Sequence, residues 1–266
     1  MHIPWTYLAF LPLAIAPLPL YREGNVRAIR QEKESRIEEV WKERRGFEIK
    51  IDHETRSITI SAWFYAARGT AEERNQLNSI LYFWNQQNEK YVYRLGRGKQ
   101  AVDYKICFDI REAHGIRTNE GFFIPDTQVR ADLLNAVEII PDSTMNPSED
   151  IAMRDGSKTL GYAPNNHIYI SDQAANLDWV GPHEAGHRLG ASHVHVGIMQ
   201  SQGEMVSNRV NKQTIKQILA CAFIVGRGSD QNRLAQYGVR AQSVEIAGVV
   251  PQGFYTQGKV KKARRK

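Results

Sequence analysis

Cysteine is scarce in this chain. Only Cys107 and Cys221 occur in 266 residues, and neither belongs to a C-x-x-C pair. That leaves a cysteine-built zinc site unsupported and rules out a disulfide-dense scaffold. One disulfide can form if the protein is exported, and two separate buried thiols account for the pair at least as well. An apolar run of membrane-spanning length is also lacking. The segment Trp5–Leu20 is strongly apolar but short, and Pro12, Pro17 and Pro19 interrupt it. A secretory leader would open with a basic stretch, and His2 is the only candidate charge there; Ala14-Ile15-Ala16 resembles a cleavage site, but Pro17 follows it. The segment reads first as a membrane-interacting or translocation element, second as an atypical signal peptide, third as a strand of chain packed on the domain. No internal repeat is present.

Positive charge is concentrated in one place. The net charge is +6, and the last eight residues, Lys259 to Lys266, carry six positive and no negative charges. The rest of the chain is therefore formally neutral, and the high pI belongs to a tail. A solvated, disordered tail is the expectation; binding to nucleic acid or to an anionic membrane is the alternative. The hydrophobic content, 42%, suffices for one large domain or two small ones.

Residues 21–45 alternate charges around a thin apolar stripe of Val26, Ile29, Ile37 and Val40, which predicts an exposed helical linker. The globular part begins near Phe47. Strict alternation predicts strands over Ser57–Tyr65 and Val102–Ile110, with shorter ones at Tyr91–Leu95, Ala136–Ile140, His167–Ser171 and Ser243–Val250. Thr70 and Glu73 form a capping box ahead of a helix that buries Leu77, Ile80, Leu81 and Trp84. Residues 141–166 are rich in Pro, Asn, Asp, Ser and Gly and read as loop. Asn211–Val225 has Ile215, Ile218, Leu219 and Ala222 on one helical face, and Gly226-Arg227-Gly228 ends it.

The chemistry lies in Gly181-Pro182-His183-Glu184-Ala185-Gly186-His187-Arg188-Leu189-Gly190-Ala191-Ser192-His193. On a helix starting between Asp178, a candidate N-cap, and Pro182, the imidazoles of His183 and His187 share one face. Two neutral imidazoles at that spacing bind one Zn²⁺. Glu184 stands beside the metal, where a general base belongs. Gly190 can take a left-handed conformation and stop the helix, so that His193 returns as third ligand. Three ligands leave a fourth position open, which suits a catalytic rather than a structural ion. His195 is the rival to His193 but lacks the Gly-x-x spacing, and falls beside the ligand set or in solvent. A surface helix with solvated histidines would not explain Glu184, Gly190 and His193 together.

These residues match H-E-x-x-H-x-x-G-x-x-H at all five fixed positions, so the chain resembles the metzincin zinc peptidases. At average composition a random chain of this length carries that pattern roughly once in a hundred thousand tries. The resemblance implies a methionine turn below the metal, for which Met199 in Val196-Gly197-Ile198-Met199 is the candidate and Met205 the fallback. Some members carry a tyrosine ligand two residues after that Met; Ser201 stands there, so none is expected. It implies an α+β, metzincin-like fold: a twisted mixed sheet over a zinc-binding helix, with a small C-terminal helical subdomain. The domains would be an apolar segment 1–20, a charged linker 21–48, a metallopeptidase domain 49–226 and a C-terminal extension 227–266.

Within the metzincins, "SITISAWFY", "ILYFWN", "PHEAGHRLG" and "IKQIL" are most similar to the metallopeptidase toxin domains of bacterial polymorphic toxins, such as rearrangement-hotspot proteins. A cysteine-switch propeptide and the cysteine framework common in animal members are missing, which favours a bacterial source. The resemblance implies a zinc endopeptidase with one catalytic Zn²⁺ on His183, His187 and His193. Glu184 takes the proton of the attacking zinc-bound water, and Gly190 and Met199 give structural support. Substrate would lie along an edge strand at His167–Ser171. The implied partners are a protein or peptide substrate and a cognate immunity or inhibitor protein. Nucleic acid is not expected, and membrane contact would run through residues 5–20. The implied location is secreted or delivered by a bacterial secretion system, with membrane association as the alternative. Competing readings are an inactive zinc-binding adaptor, a zinc hydrolase of a small amide, and a DNA- or membrane-binding module built on the tail.

Overall fold

Alternating side chains build the centre of a mixed sheet. In the strand Ser57–Ala66 (β2), Ile58, Ile60, Ala62 and Phe64 are fully buried, while Thr59, Trp63 and Tyr65 face the other way and are half-exposed. This is the period-2 pattern of a strand with one face on the core. The computed structural model describes residues 44–119, 121, 123–126, 129, 133–145, 159–164, 166–200, 209–221 and 240–263. The chain divides into two compact units, residues 1–39 and 40–266. The apolar run 5–20 and most of the expected linker lie outside the described residues.

The strands after β2 are Tyr91–Leu95 (β3), Val102–Glu112 (β4), Leu134–Ile140 (β7), Gly161–Tyr162 (β8) and His167–Ser171 (β9). A small separate hairpin, Gly115–Arg117 (β5) with Phe123–Pro125 (β6), lies between β4 and β7 in the chain. Arg44–Asp52 (β1) pairs antiparallel with the first half of β2. The linker expectation, which ran to residue 48, thus yields to a strand from Arg44, because Phe47, Ile49 and Ile51 alternate into the core and are fully buried. The main order is β3-β4-β2-β7-β9-β8; β2/β4, β2/β7 and β7/β9 are parallel, and β8/β9 is antiparallel. The protein is therefore α+β with a mixed sheet and few helices among the described residues.

One face of the sheet carries the helix Ala71–Asn85 (α1). The capping box is formed: Thr70 Oγ1 accepts the Glu73 N–H, and Glu73 Oε2 accepts from Arg68, Gly69 and Thr70. Leu77, Ile80 and Trp84 are buried as the spacing requires, and Leu81 is partly buried against the core. The helices Val180–Arg188 (α2) and Lys212–Ala220 (α3) follow. Asn211 caps α3 by accepting from Thr214 N–H, and residues 222–225 of the expected longer helix, with the expected stop at 226–228, lie outside the described residues.

The C-terminal segment departs most from expectation. Arg240–Ala247 (β10) pairs parallel with β1, and Gly248 ends it with a φ of 78°, three residues before the expected limit. After the short helix Phe254–Gln257 (α4), Lys259–Lys262 (β11) pairs antiparallel with β3. The first half of the basic tail is thus a sheet strand, because Val260 is buried on one side while the lysines point outward. Lysines on an edge strand also discourage pairing with other chains. Phe254 is 1% exposed and packs between His53, Tyr93 and Tyr104, with ring centroids 4.7, 5.0 and 4.9 Å away. The Tyr93 hydroxyl donates to the Phe254 carbonyl. The two cysteines are free thiols, so no disulfide forms. No described helix is long and apolar enough to cross a membrane.

Removing the Phe254 ring leaves a cavity among these aromatics. Phe254→Ala is expected to lower unfolding free energy by about 3–5 kcal/mol, read from guanidinium denaturation. A solvated tail would give a change within about 0.5 kcal/mol.

Candidate metal centre

The helix α2 starts without a capping side chain of its own. Its N-cap is Trp179, not Asp178, and makes no side-chain cap bond. The neighbouring helix α1 supplies what is missing. Gln76 Oε1 accepts the Gly181 N–H at 3.0 Å, while Gln76 Nε2 donates to the carbonyls of Ala175 and Leu177. Trp84 Nε1–H donates to the Pro182 carbonyl at 3.0 Å. An orphan donor at the helix start is thereby satisfied from a distant element, and Pro182 sits in the first turn, where its missing N–H is harmless.

The other end closes by a Schellman motif. Ala191 N–H donates to Gly186 O and Gly190 N–H to His187 O, with Gly190 at φ 88°. That turn brings the Ala191 carbonyl to His187, whose Nδ1–H donates to it at 2.8 Å. A second turn has Gly197 at φ 96°, a Val194 N–H bond to Met199 O and an Ile198 N–H bond to Arg209 O. It delivers the Ile198 carbonyl to His183, whose Nδ1–H donates to it at 2.6 Å. Met199 is fully buried against the helix: a β-carbon at position 186 would overlap its sulfur, so Gly186 is what lets the turn approach. Met205 and Ser201 lie outside the described residues.

The outcome is three convergent nitrogens. A carbonyl accepts only, so each neutral ring of His183 and His187 carries its proton on Nδ1 and presents a lone pair at Nε2. Those atoms lie 3.3 and 3.2 Å from His193 Nε2. His193 has one Nε2 proton at most, so it cannot donate to both. A cation held by the three nitrogens would resolve this crowding. A tetrahedral ion with metal–nitrogen bonds of about 2.0–2.1 Å holds its nitrogens about 3.3–3.4 Å apart, close to the two distances to His193. The donor set fits a divalent metal. His183 is buried, His187 half-exposed and His193 exposed, so the centre opens to solvent on the His193 side. His195 is exposed and stands outside this cluster.

Loss of water disfavours the charged forms of His183, His193 and Glu184. Burial pushes His183 down to about 4, against a weaker opposing pull from the Ile198 carbonyl, and partial desolvation lowers His193, although that residue is the exposed member of the three. Glu184, which follows His183 on α2, is buried, and desolvation raises its carboxyl to about 8. Its Oε2 has no hydrogen-bond partner. A cation at the three Nε2 atoms would favour the ionised carboxylate.

Sequence reasoning missed several parts. Arg188 is 1% exposed; its Nε donates to Asn135 Oδ1 and its Nη2 to Asn166 Oδ1, both at 2.9 Å. Asn135 Nδ2 in turn donates to the carbonyls of Gly46, Trp63 and Leu133, so the helix end is tied to three strands. No spacing rule reveals such a partner. The edge expectation is corrected in part: β8 and Leu160 cover Tyr169–Ser171, whereas His167 and Ile168 have no β8 partner among the described residues. A two-residue strand with one glycine carries no periodic signal.

No protein-family model matches the sequence, and no curated protein matches it.

The perturbed groups give opposite pH slopes in metal-free protein. Unfolded Glu184 loses its proton near 4.5 and native Glu184 only near 8, so unfolding releases a proton between those values. Stability therefore falls as pH rises across that window. Glu184→Gln removes this loss and is expected to be progressively more stable than wild type from pH 4.5 to 8. Unfolded His183 gains a proton below 6.5 and native His183 only near 4, so both proteins weaken on acidification through that range. Urea unfolding of EDTA-treated proteins across pH checks both slopes.

Proposed function

We propose that this protein is a zinc-dependent peptidase of metzincin type. The observation that carries the reading is the convergence of His183 and His187 Nε2 on His193 Nε2, at 3.3 and 3.2 Å, with the buried carboxyl of Glu184 on the same helix. The element order up to α3 supports it too: strands, helix, further strands, histidine helix, the turn at Met199 and then α3. So does Met199 packed beneath the helix at Gly186.

In this reading the three imidazoles hold one Zn²⁺, which supplies Lewis acidity towards water and a substrate carbonyl. The residues do the rest. The Nδ1–H bonds to Ile198 and Ala191 fix both rings of α2 and keep their Nε2 lone pairs directed inward. Glu184 accepts the proton of the attacking water and returns it to the leaving amine. Its buried, weakly acidic environment suits a group that must both take and give a proton near neutrality. An extended peptide has β8 as the sheet edge on which to add. The likeness to bacterial toxin domains makes a delivered effector, with a protein substrate and a cognate inhibitor, the biological setting we favour.

Two variants test the site. His187→Ala is expected to lose most bound zinc at neutral pH, measured by metal analysis after dialysis; full stoichiometry would refute the ligand set. Glu184→Gln is expected to keep its zinc and cleave a mixed peptide pool about 10²–10⁴-fold more slowly. Equal cleavage by both proteins would remove Glu184 from the mechanism. No cleavage by either, with zinc present, would favour an adaptor or a small-amide hydrolase.

A further inference from the structure

We propose that Gly161 is a positioning residue for the base: its missing side chain forms the niche in which the Glu184 carboxylate lies. This rests on the peptidase reading above. A β-carbon at position 161 would fall 2.9 Å from both Glu184 Cγ and Oε1 and 3.1 Å from Cδ. These are its three nearest neighbours, so the space a side chain would need is taken by that one carboxylate.

The register explains the arrangement. Gly161 stands opposite Ile170, which is fully buried on the core face, and Tyr162 stands opposite Tyr169, with which it stacks on the other face at 5.0 Å. Position 161 therefore projects onto α2. A slip of one residue would put the Tyr162 ring there instead. The edge segment is pinned, since Ser171 N–H donates to the Leu160 carbonyl at 3.0 Å.

The helix beneath is pinned as well. Gln76 holds Gly181 and Trp84 holds Pro182, the residues just before His183. With both backbones fixed, the carboxylate is the part free to yield. No hydrogen bond tethers its Oε2, so the walls around it set its place, and Gly161 is one of those walls. The glycine is not there for its conformation: position 161 is an extended strand residue outside the positive-φ region, which alanine adopts without strain. Gly161→Ala thus inserts one methyl group against Glu184 and changes little else.

A double-mutant cycle on metal-free protein reads the contact without any activity. Gly161→Ala is expected to lower the urea midpoint in the wild-type background and to leave it nearly unchanged in a Glu184→Ala background, where Cγ and the carboxylate are gone. An equal loss in both backgrounds overturns the proposal, as does failure of the double variant to fold. Folding of the double variant alone supports it. On zinc-loaded protein, Gly161→Ala is expected to lower kcat about 10–100-fold, the effect of a small misplacement of a reacting group, with KM and zinc content unchanged. A wild-type kcat, or loss of zinc, overturns it. If the wild type itself cleaves nothing, the peptidase reading fails, and the stability cycle still decides whether Gly161 shapes the position of Glu184.

Discussion

Two backbone carbonyls, those of Ile198 and Ala191, decide what this site can be. By accepting the Nδ1 protons of His183 and His187 they turn two ordinary imidazoles into directed lone pairs. Everything nearby serves to place them. The left-handed Gly190 brings Ala191 back over the helix end, and the left-handed Gly197 brings Ile198 to its flank. Gly186 removes the side chain that would hold the second turn away, and Met199 fills the gap. These glycines differ in kind: two supply a backbone conformation and one supplies closeness.

The helix itself is marginal. Nine residues with two glycines and a proline have poor intrinsic helicity. Its stability comes from outside, through Gln76 and Trp84 at one end and Arg188 with Asn135 at the other. A buried guanidinium with amide partners, and a carboxyl oxygen with none, are what a protein tolerates where a local geometry matters more than local stability.

How much of this was legible follows from the range of each interaction. The histidine cluster could be read because i, i+4 on a helix and a glycine stop are local rules, and the same holds for the capping box at Thr70 and for the alternation in β2 and β4. The supports of the cluster could not. Gln76 reaches Gly181 across more than a hundred residues of chain, and a lone Gln or Asn on a helix or strand looks the same whether it is solvated or buried. The tail was misjudged for a related reason: Lys-Val-Lys-Lys has the composition of a solvated tail, and only the burial of Val260 and Phe254 distinguishes it. The edge at Gly161–Tyr162 is too short to show any period.

The pairing of β1 with β10 has a consequence in time. Arg44 lies beside Arg240 and Asp52 beside Ala247, in parallel, and β11 then closes the free side of β3. Nearly the whole described chain is therefore looped between the two partners of one strand pair. Contacts so far apart in sequence are slow to form, because the intervening loop must be ordered first. On a ribosome, the histidine helix emerges well before either closing strand exists. The open flanks of β1 and β3 during that interval are unpaired strand edges, the surfaces that chaperones bind and that aggregation exploits.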